Sequence, residues 1–407
     1  RNKNIGNNSG SGNINLPNHV LKYFARLNEP LDFQTAYAVG VFAMYPFYPQ
    51  LREDPHLNVD FGITEIAKVQ AVALLSSIYN LATNQKEGAH LQLAGIVSAV
   101  FDYDISFSSH GMINVGSKSV YDNCGMGGDT TNTFHISTSA ALIAASQGLH
   151  IGKHGSSGNA QRSGSSDFVI SLGIKNDAEP KSISKSIDEA NFGYIEAIDQ
   201  RYKRIHVQTH DVAHLAHMND IIGPMTNPLN PRNLTGKLLG VNQVISPEVV
   251  AKAYVVLNAL GVTNIRKGMV VRGYNVNGKT RTLDEISTMN GGTDAVLING
   301  DELTMMHLTY RDFGFGRASY EEEISPKVND KGDRIKYTMK VLRGDATEGS
   351  KNILVANAAT LLALSEMKRG SEDLGLKEKV DIAERAIKEG APFNVISQVK
   401  EIQAKFR

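Results

Sequence analysis

From Tyr121 onwards the chain alternates short β-like runs with Ala- and Leu-rich stretches of helical character. Phe134 to Ile136, Leu149 to Lys153, Gly268 to Arg272 and Ala295 to Leu297 are the β-like runs, and Ala140 to Gly148 is one of the helices. Parallel neighbours need a long crossover, usually a helix, so the alternation predicts an α/β fold with a mainly parallel sheet flanked by helices. Upstream the pattern changes. From Leu16 to about Ser109 apolar residues recur at helical spacing, as in Ile66, Val69, Val72, Leu75 and Ile78, which predicts a small all-helical portion. Tyr45 to Asp60 interrupts it with Pro46, Pro49 and Pro55 and cannot be one helix. Arg1 to Gly12 is mostly Asn, Gly and Ser and reads as a flexible arm, with too little apolar surface to offset the entropy of ordering. At 407 residues the chain exceeds the roughly 250–300 at which single cores stop growing, so two domains are expected.

The stretch from Asp122 to Asp167 concentrates the chemistry. A glycine-rich turn, Gly125-Met126-Gly127-Gly128-Asp129, is followed by Phe134-His135-Ile136-Ser137-Thr138-Ser139 and then by Lys153-His154-Gly155. Glycines let backbone N–H groups approach an oxyanion, and a helix beginning at Ser137 and Thr138 directs its positive dipole end to the same place. Lys153 adds a full charge, and Asp129 would repel phosphate unless it met a metal or bonded to the loop. Far downstream, Leu283-Asp284-Glu285-Ile286-Ser287 places two adjacent carboxylates after a strand. Magnesium is usually held by one or two carboxylates together with substrate phosphates.

With these residues in view the chain resembles anthranilate phosphoribosyltransferase and, more distantly, the pyrimidine nucleoside phosphorylases of the same fold. The matching runs, in order, are Gly125 to Asp129, Ile136-Ser137-Thr138, Lys153-His154-Gly155, Ser163-Gly164-Ser165-Ser166-Asp167, Gly223-Pro224-Met225-Thr226-Asn227-Pro228 and Leu283 to Ser287. The resemblance implies a helical domain of residues 13–120 and 180–222, the polar stretch Pro180 to Asp220 being read as helical, and an α/β domain of 121–179 and 223–407. It implies that phosphoribosyl pyrophosphate binds Gly125, Gly127, Gly128, Asp129, Thr133, His135, Ser137, Thr138, Lys153 and Ser165. The aromatic amine would meet His154, Gly155, Ser156 and His210, and two magnesium ions would be held by Ser137, Asp284 and Glu285. It further implies a homodimer, and catalysis by positioning and charge neutralisation with no covalent nucleophile. Cys124 is accordingly read as a packing residue.

The departures fall mainly on the acceptor side. The family usually has Asn where His135 stands, Thr at Met126, and Asn-Arg where Ser156 and Ser157 follow Lys153-His154-Gly155; the arginine that meets the anthranilate carboxylate falls at His210. A histidine offers neither the permanent charge nor the two-pronged geometry of a guanidinium. His206, His210, His214 and His217 lie near one helical face, a spacing at which side chains can share a zinc ion or can be partly exposed histidines with no role. The resemblance favours an acceptor pocket, because this stretch replaces the family's acceptor-binding helix. Lys plus Arg equals Asp plus Glu at 42 each, which argues against a nucleic-acid partner. One cysteine excludes an intramolecular disulfide framework and suits a cytoplasmic enzyme, and no membrane span is expected. Two alternatives stay open: a same-fold transferase or nucleoside phosphorylase for another acceptor, and a non-enzymatic relative that binds nucleic acid or another partner.

Overall fold

The computed structural model describes residues 29–44, 48, 86–128, 130–158, 163–205, 219–275, 281–325, 330–371 and 373–406. The elements in chain order are α1 (Phe33–Met44), α2 (Ala89–Ala99), β1 (Val120–Gly125), α3 (Ile136–Ser146), β2 (Ile151–Gly155), α4 (Ser165–Ser171), α5 (Pro180–Ala190) and β3 (Phe192–Glu196). They continue with α6 (Asn219–Met225), β4 (Leu234–Gly240), α7 (Pro247–Ala259), β5 (Lys267–Tyr274), β6 (Thr282–Leu283), β7 (Thr293–Asn299) and β8 (Glu302–Leu308). The chain closes with α8 (Lys331–Leu342), α9 (Glu348–Glu366), α10 (Leu376–Lys388) and α11 (Ala391–Ala404).

The sheet order is β3-β2-β1-β4-β5-β7-β8, with β6 paired to β5. The first five of these strands are mutually parallel, and β7 and β8 add an antiparallel edge. Strand periodicity sends alternate side chains to opposite faces. Leu239, Val270, Val296 and Ile298 join one apolar cluster with α1, α2 and α7, whereas Leu238, Met269, Val271, Ala295 and Leu297 join a second with α3, α9, α10 and α11. Both faces are covered, which is why these strands read as apolar runs and not as alternations. From β1 the chain winds outwards through β2 and β3, and it then restarts on the other side of β1 with β4. The order therefore reverses between β1 and β4, and ligands in open α/β sheets bind at the carboxyl ends of strands at such a point.

Two local expectations are corrected. Phe134 to Ile136 is no strand: residues 132–135 are loop and Ile136 opens α3, the true strand before it being Val120–Gly125. That strand hides in the sequence because Asp122 and Asn123 are poor strand formers; Asp122 is tolerated because its register partner on β4 is Lys237. The helical reading of Pro180 to Asp220 holds for α5 and fails at Phe192–Glu196, which forms β3, the sheet edge paired with β2. Phe192, Tyr194 and Ile195 are buried there among both clusters, so neither helical nor alternating polarity marks the strand. The arm 1–12, the Ile66 to Ile78 helix and the insertion 45–60 lie outside the described residues. Tyr48 of the insertion is the exception, a buried residue whose hydroxyl bonds to Asp104.

Candidate functional site

A cavity of about 520 Å³ opens at the reversal point. β1 ends there at Gly125, in register with Gly240 at the end of β4, and the loop after β6 lays Asp284 across both. Neither glycine has room for a side chain. A Cβ on Gly125 would stand 1.9 Å from Asp284 Oδ2, and one on Gly240 would stand 1.6 Å from the Asp284 carbonyl oxygen. Beyond Gly125 the chain turns through Gly127 and Gly128 at φ 74° and 69°, a left-handed conformation that favours glycine. The turn is held from three sides. Gly127 N–H donates to Asp284 Oδ2 at 2.7 Å, Asn242 Nδ2 to the Gly127 carbonyl at 2.8 Å, and Gln243 Nε2 to the Gly128 carbonyl at 3.2 Å.

The opposite rim is the N-terminus of α3, where Ser137 faces the cavity. Asn123 Nδ2 fixes that end by donating to the Ser137 carbonyl at 2.7 Å, and the Lys153 ammonium donates to the Asn123 carbonyl at 2.7 Å. Lys153 is buried yet lines the cavity. Burial raises the Asp284 carboxyl above its ordinary value, against the pull of Gly127 N–H and of the Arg334 and Lys153 cations. Among the described residues no group of three or more His, Cys, Asp or Glu could hold a metal. Asp284, Glu285 and the Ser137 hydroxyl are hard oxygen donors on one cavity, a set that fits magnesium completed by phosphate oxygens and not a metal held by protein alone.

Of the residues singled out in the sequence, Gly125, Gly127, Gly128, Thr133, His135, Ser137, Lys153, His154, Gly155, Ser156, Ser165, Asp284 and Glu285 all line this cavity. Thr138 does not: it is fully buried behind the rim, and its hydroxyl makes no hydrogen bond. Asp129 and the cluster of His206, His210, His214 and His217 lie outside the described residues. His135 stacks on Phe168 at 5.0 Å, and its Nε2 lies 2.9 Å from Ser163 Oγ. Burial, then the Arg334 and Lys153 cations, hold its pKa well below the ordinary imidazole value, so it is neutral. Asp167 serves the architecture, taking the N–H groups of Gly158 and Gly164 at 3.0 and 2.7 Å and so tying the loop that carries Ser163 and Ser165. Cys124 is buried and burial pushes its thiol up to about 11, which agrees with a packing role.

Beneath His154 lies a charged group that the sequence reading did not single out. Asp122 accepts from His154 N–H at 2.9 Å and from the Lys237 ammonium at 2.5 Å, and Lys237 also reaches the Pro224 carbonyl at 2.6 Å. Burial alone would lower the Lys237 pKa; the Asp122 carboxylate more than reverses this. Removing one partner would strand the other charge at a cost of about 3–5 kcal/mol. Lys203, also buried, donates towards His154 Nε2 at 3.3 Å, Thr226 Oγ1 at 3.2 Å and the Gly223 carbonyl at 3.4 Å. Burial lowers its pKa to about 7. The sequence carried one signal for this group, a lysine inside the otherwise apolar strand Leu234–Gly240. It carried none for Lys203, nor for Arg334, which enters the cavity from α8.

Comparison with known proteins agrees with this geometry. A model described as "Glycosyl transferase family, a/b domain" matches residues 117–393. The anthranilate phosphoribosyltransferase of Shewanella denitrificans is 31% identical over 286 residues, covering 70% of this chain and 72% of its own length. That of Shewanella sp. is 28% identical over 362 residues, covering 86% and 97%. Among solved structures, the anthranilate phosphoribosyltransferase of Thermus thermophilus superposes with a TM-score of 0.68 at 23% identity, covering 95% of this chain and 99% of that one. The Saccharomyces cerevisiae enzyme in complex with PRPP and Mg gives 0.70 at 18% identity, with 96% and 99% covered. A glycine turn under a carboxylate at the strand reversal, a helix N-terminus opposite, and a match over most of the chain place this protein in the anthranilate phosphoribosyltransferase family.

Proposed function

We propose that the enzyme transfers the 5-phosphoribosyl group of phosphoribosyl pyrophosphate to the amino group of anthranilate and releases pyrophosphate. The observation that carries this reading is Asp284, laid across Gly125 and Gly240 and bonded to Gly127 N–H, opposite the Ser137 end of α3. Backbone N–H groups, a helix dipole, Lys153 and a carboxylate pair converge on one small space, as a phosphorylated substrate carrying a divalent cation requires. The names of the relatives agree, and yeast structures of the family hold PRPP with Mg in one case and 4-fluoroanthranilate in another.

In this reading the pyrophosphate lies between the glycine turn and the α3 N-terminus. Asp284, Glu285 and Ser137 would hold magnesium, two ions in all, and the metal when bound would neutralise charge on the leaving group. The amine nitrogen forms its bond to C1 of the ribose as the C1–O bond breaks, the electron pair leaves on pyrophosphate, and the proton that the nitrogen gives up passes to the departing pyrophosphate or to water. Lys153 stabilises the departing anion, while His154, Gly155 and Ser156 form the acceptor wall, with His210 contributing from the stretch that departs most from the family. The reading extends to a homodimer joined through the helical portion. It extends also to a cytoplasmic setting, which suits a single buried cysteine. No helix among the described residues is long and apolar enough to cross a membrane.

The test is pyrophosphate release from phosphoribosyl pyrophosphate and magnesium with a panel of acceptors. Anthranilate should give the highest kcat/KM. A heterocyclic base or another aromatic amine giving the highest value would move the enzyme to a same-fold transferase, and phosphate-dependent cleavage of a nucleoside without pyrophosphate chemistry would make it a phosphorylase.

A further inference from the structure

The helix α8 is bolted to the phosphate rim. His135 N–H donates to Thr338 Oγ1 at 3.1 Å, Tyr337 meets Phe134 edge-on at 6.1 Å, and Ser325 Oγ, just before the helix, donates to the Asn132 carbonyl. Residues four apart share a helix face, so the contact at Thr338 fixes what its neighbour one turn earlier must face. That neighbour is Arg334. Its backbone carbonyl accepts from Thr338 Oγ1 at 2.8 Å, its Nη1 donates to the Ser163 carbonyl at 2.7 Å, and its side chain lines the cavity with Lys153, His135, Ser165 and Asp284. The loop that follows Lys153-His154-Gly155 presents Ser156 and Ser157 to the same cavity and brings no cation of its own from those two positions.

We infer that Arg334 is a phosphate-binding residue of this site, reaching it from α8 and taking phosphate oxygens of the phosphoribosyl donor alongside Lys153. This rests on the functional reading above for the identity of the donor, and on the geometry alone for the anion. A guanidinium carries its donors in a planar fork that matches phosphate in two parallel hydrogen bonds, whereas Lys153 acts as a point charge. Arg334 and Lys153 line the same cavity, so an anion held between them would meet both charges. Three elements distant in sequence thus supply one site: the turn after β1, the end of β2 and the first turn of α8.

The experiment uses the full chain and inorganic pyrophosphate with magnesium as the calorimetric probe, alongside KM for phosphoribosyl pyrophosphate and for anthranilate. Arg334→Gln should weaken pyrophosphate binding by roughly tenfold or more, the scale of a lost charge-assisted hydrogen bond. It should raise the donor KM in step and leave the anthranilate KM within about twofold. Arg334→Lys, which keeps the charge and loses the fork, should fall between, and it carries the test should the glutamine variant fail to fold. Lys336→Gln, exposed on the same helix, should match the wild type. A purely architectural role, pinning Ser163, would instead lower the melting temperature and impair both substrates together. Pyrophosphate binding unchanged in both Arg334 variants, or equal losses for donor and acceptor, overturns the inference. A wild type that binds pyrophosphate without transferring phosphoribosyl overturns the functional reading while the titrations still decide Arg334; a wild type that binds no pyrophosphate overturns both.

Discussion

On the side of the cavity where the glycine turn lies, the charged groups themselves face the ligand: Lys153, Arg334, Asp284 and Glu285 all line the space. On the side of His154, where Asp220 lines the space, three further charges lie underneath. Asp122, Lys237 and Lys203 are buried, stand behind the lining and touch it through His154, Gly223 and Pro224. The proposed ligands account for the difference. A pyrophosphate needs opposite charge and N–H donors at contact distance, because that is where its own charge must be matched. A flat aromatic amine needs a wall of fixed shape, and buried charges bonded to the backbone of that wall hold it without being spent on the ligand. The comparison predicts that changes on the first side act on turnover and donor binding, and that changes on the second act on acceptor binding and stability.

The largest effect should come from Asp284→Asn with Glu285→Gln, which keeps size and removes both negative charges. Loss of the magnesium site should lower kcat on the order of a thousandfold or more with the circular dichroism spectrum unchanged. Wild-type turnover in this variant would remove the pair from the site. Next is Gly240→Ala. The added methyl has no room beside the Asp284 backbone, so it should displace the loop, lower stability by about 1–3 kcal/mol and reduce kcat by roughly a hundredfold through misplacement of the carboxylate. Chemical denaturation and steady-state kinetics read the two effects separately, and an unaffected kcat would show that the position of Asp284 is not critical.

Lys153→Ala should follow. It deletes one cation from the anion side, so the Kd for phosphoribosyl pyrophosphate should rise by roughly tenfold or more while that for anthranilate stays within about twofold. Equal losses in a calorimetric titration of the two ligands would erase the proposed division between the walls.

The smallest effect belongs to the buried side. Lys203→Met removes the donor that bonds to His154 Nε2, and the anthranilate KM should rise roughly three- to tenfold with the donor KM unchanged. The same variant tests the charge itself. The folded-state pKa of Lys203 is lowered to about 7 from an ordinary 10.5, so between those values the unfolded chain binds more protons and the contribution of this residue to stability rises with pH. Below pH 7 the buried ammonium is at its most costly. The methionine variant should therefore gain most relative to wild type at pH 6.5 to 7 and lose that advantage progressively towards pH 9, as followed by thermal unfolding. Asp104, whose carboxyl burial raises to about 6 and whose charge pulls the Lys203 pKa up, titrates at the low end of this window. A difference that stays constant with pH would mean that Lys203 keeps an ordinary pKa.

What the sequence revealed and concealed divides along the same line. The glycine turn, the Ser137 helix start, Lys153 and Asp284-Glu285, which line one cavity, were legible because each is a polar or conformationally special residue beside an apolar run, the type of residue that the proposed phosphate contact would need. β1 was missed because its polar residues make sense only once Lys237 stands beside Asp122 across the strand pair. β3 was missed because a strand buried on both faces has no period. Gly240 could be read only as one glycine among many until Asp284 was seen to lie against it. Arg334 sits in a polar helix like any other, and its place on the cavity shows once the bonds from His135 to Thr338 and from Arg334 to Ser163 are seen.

The central claim is that the space between the glycine turn and the α3 N-terminus carries out magnesium-dependent phosphoribosyl transfer to anthranilate. The most direct test incubates the full chain with phosphoribosyl pyrophosphate, magnesium and anthranilate, and quantifies pyrophosphate and the N-linked phosphoribosyl product by mass spectrometry. The account predicts one product molecule per pyrophosphate, with both abolished by chelating magnesium and by the Asp284→Asn, Glu285→Gln variant. Pyrophosphate released at the same rate without anthranilate, or no product from a folded protein that binds both substrates, would contradict it.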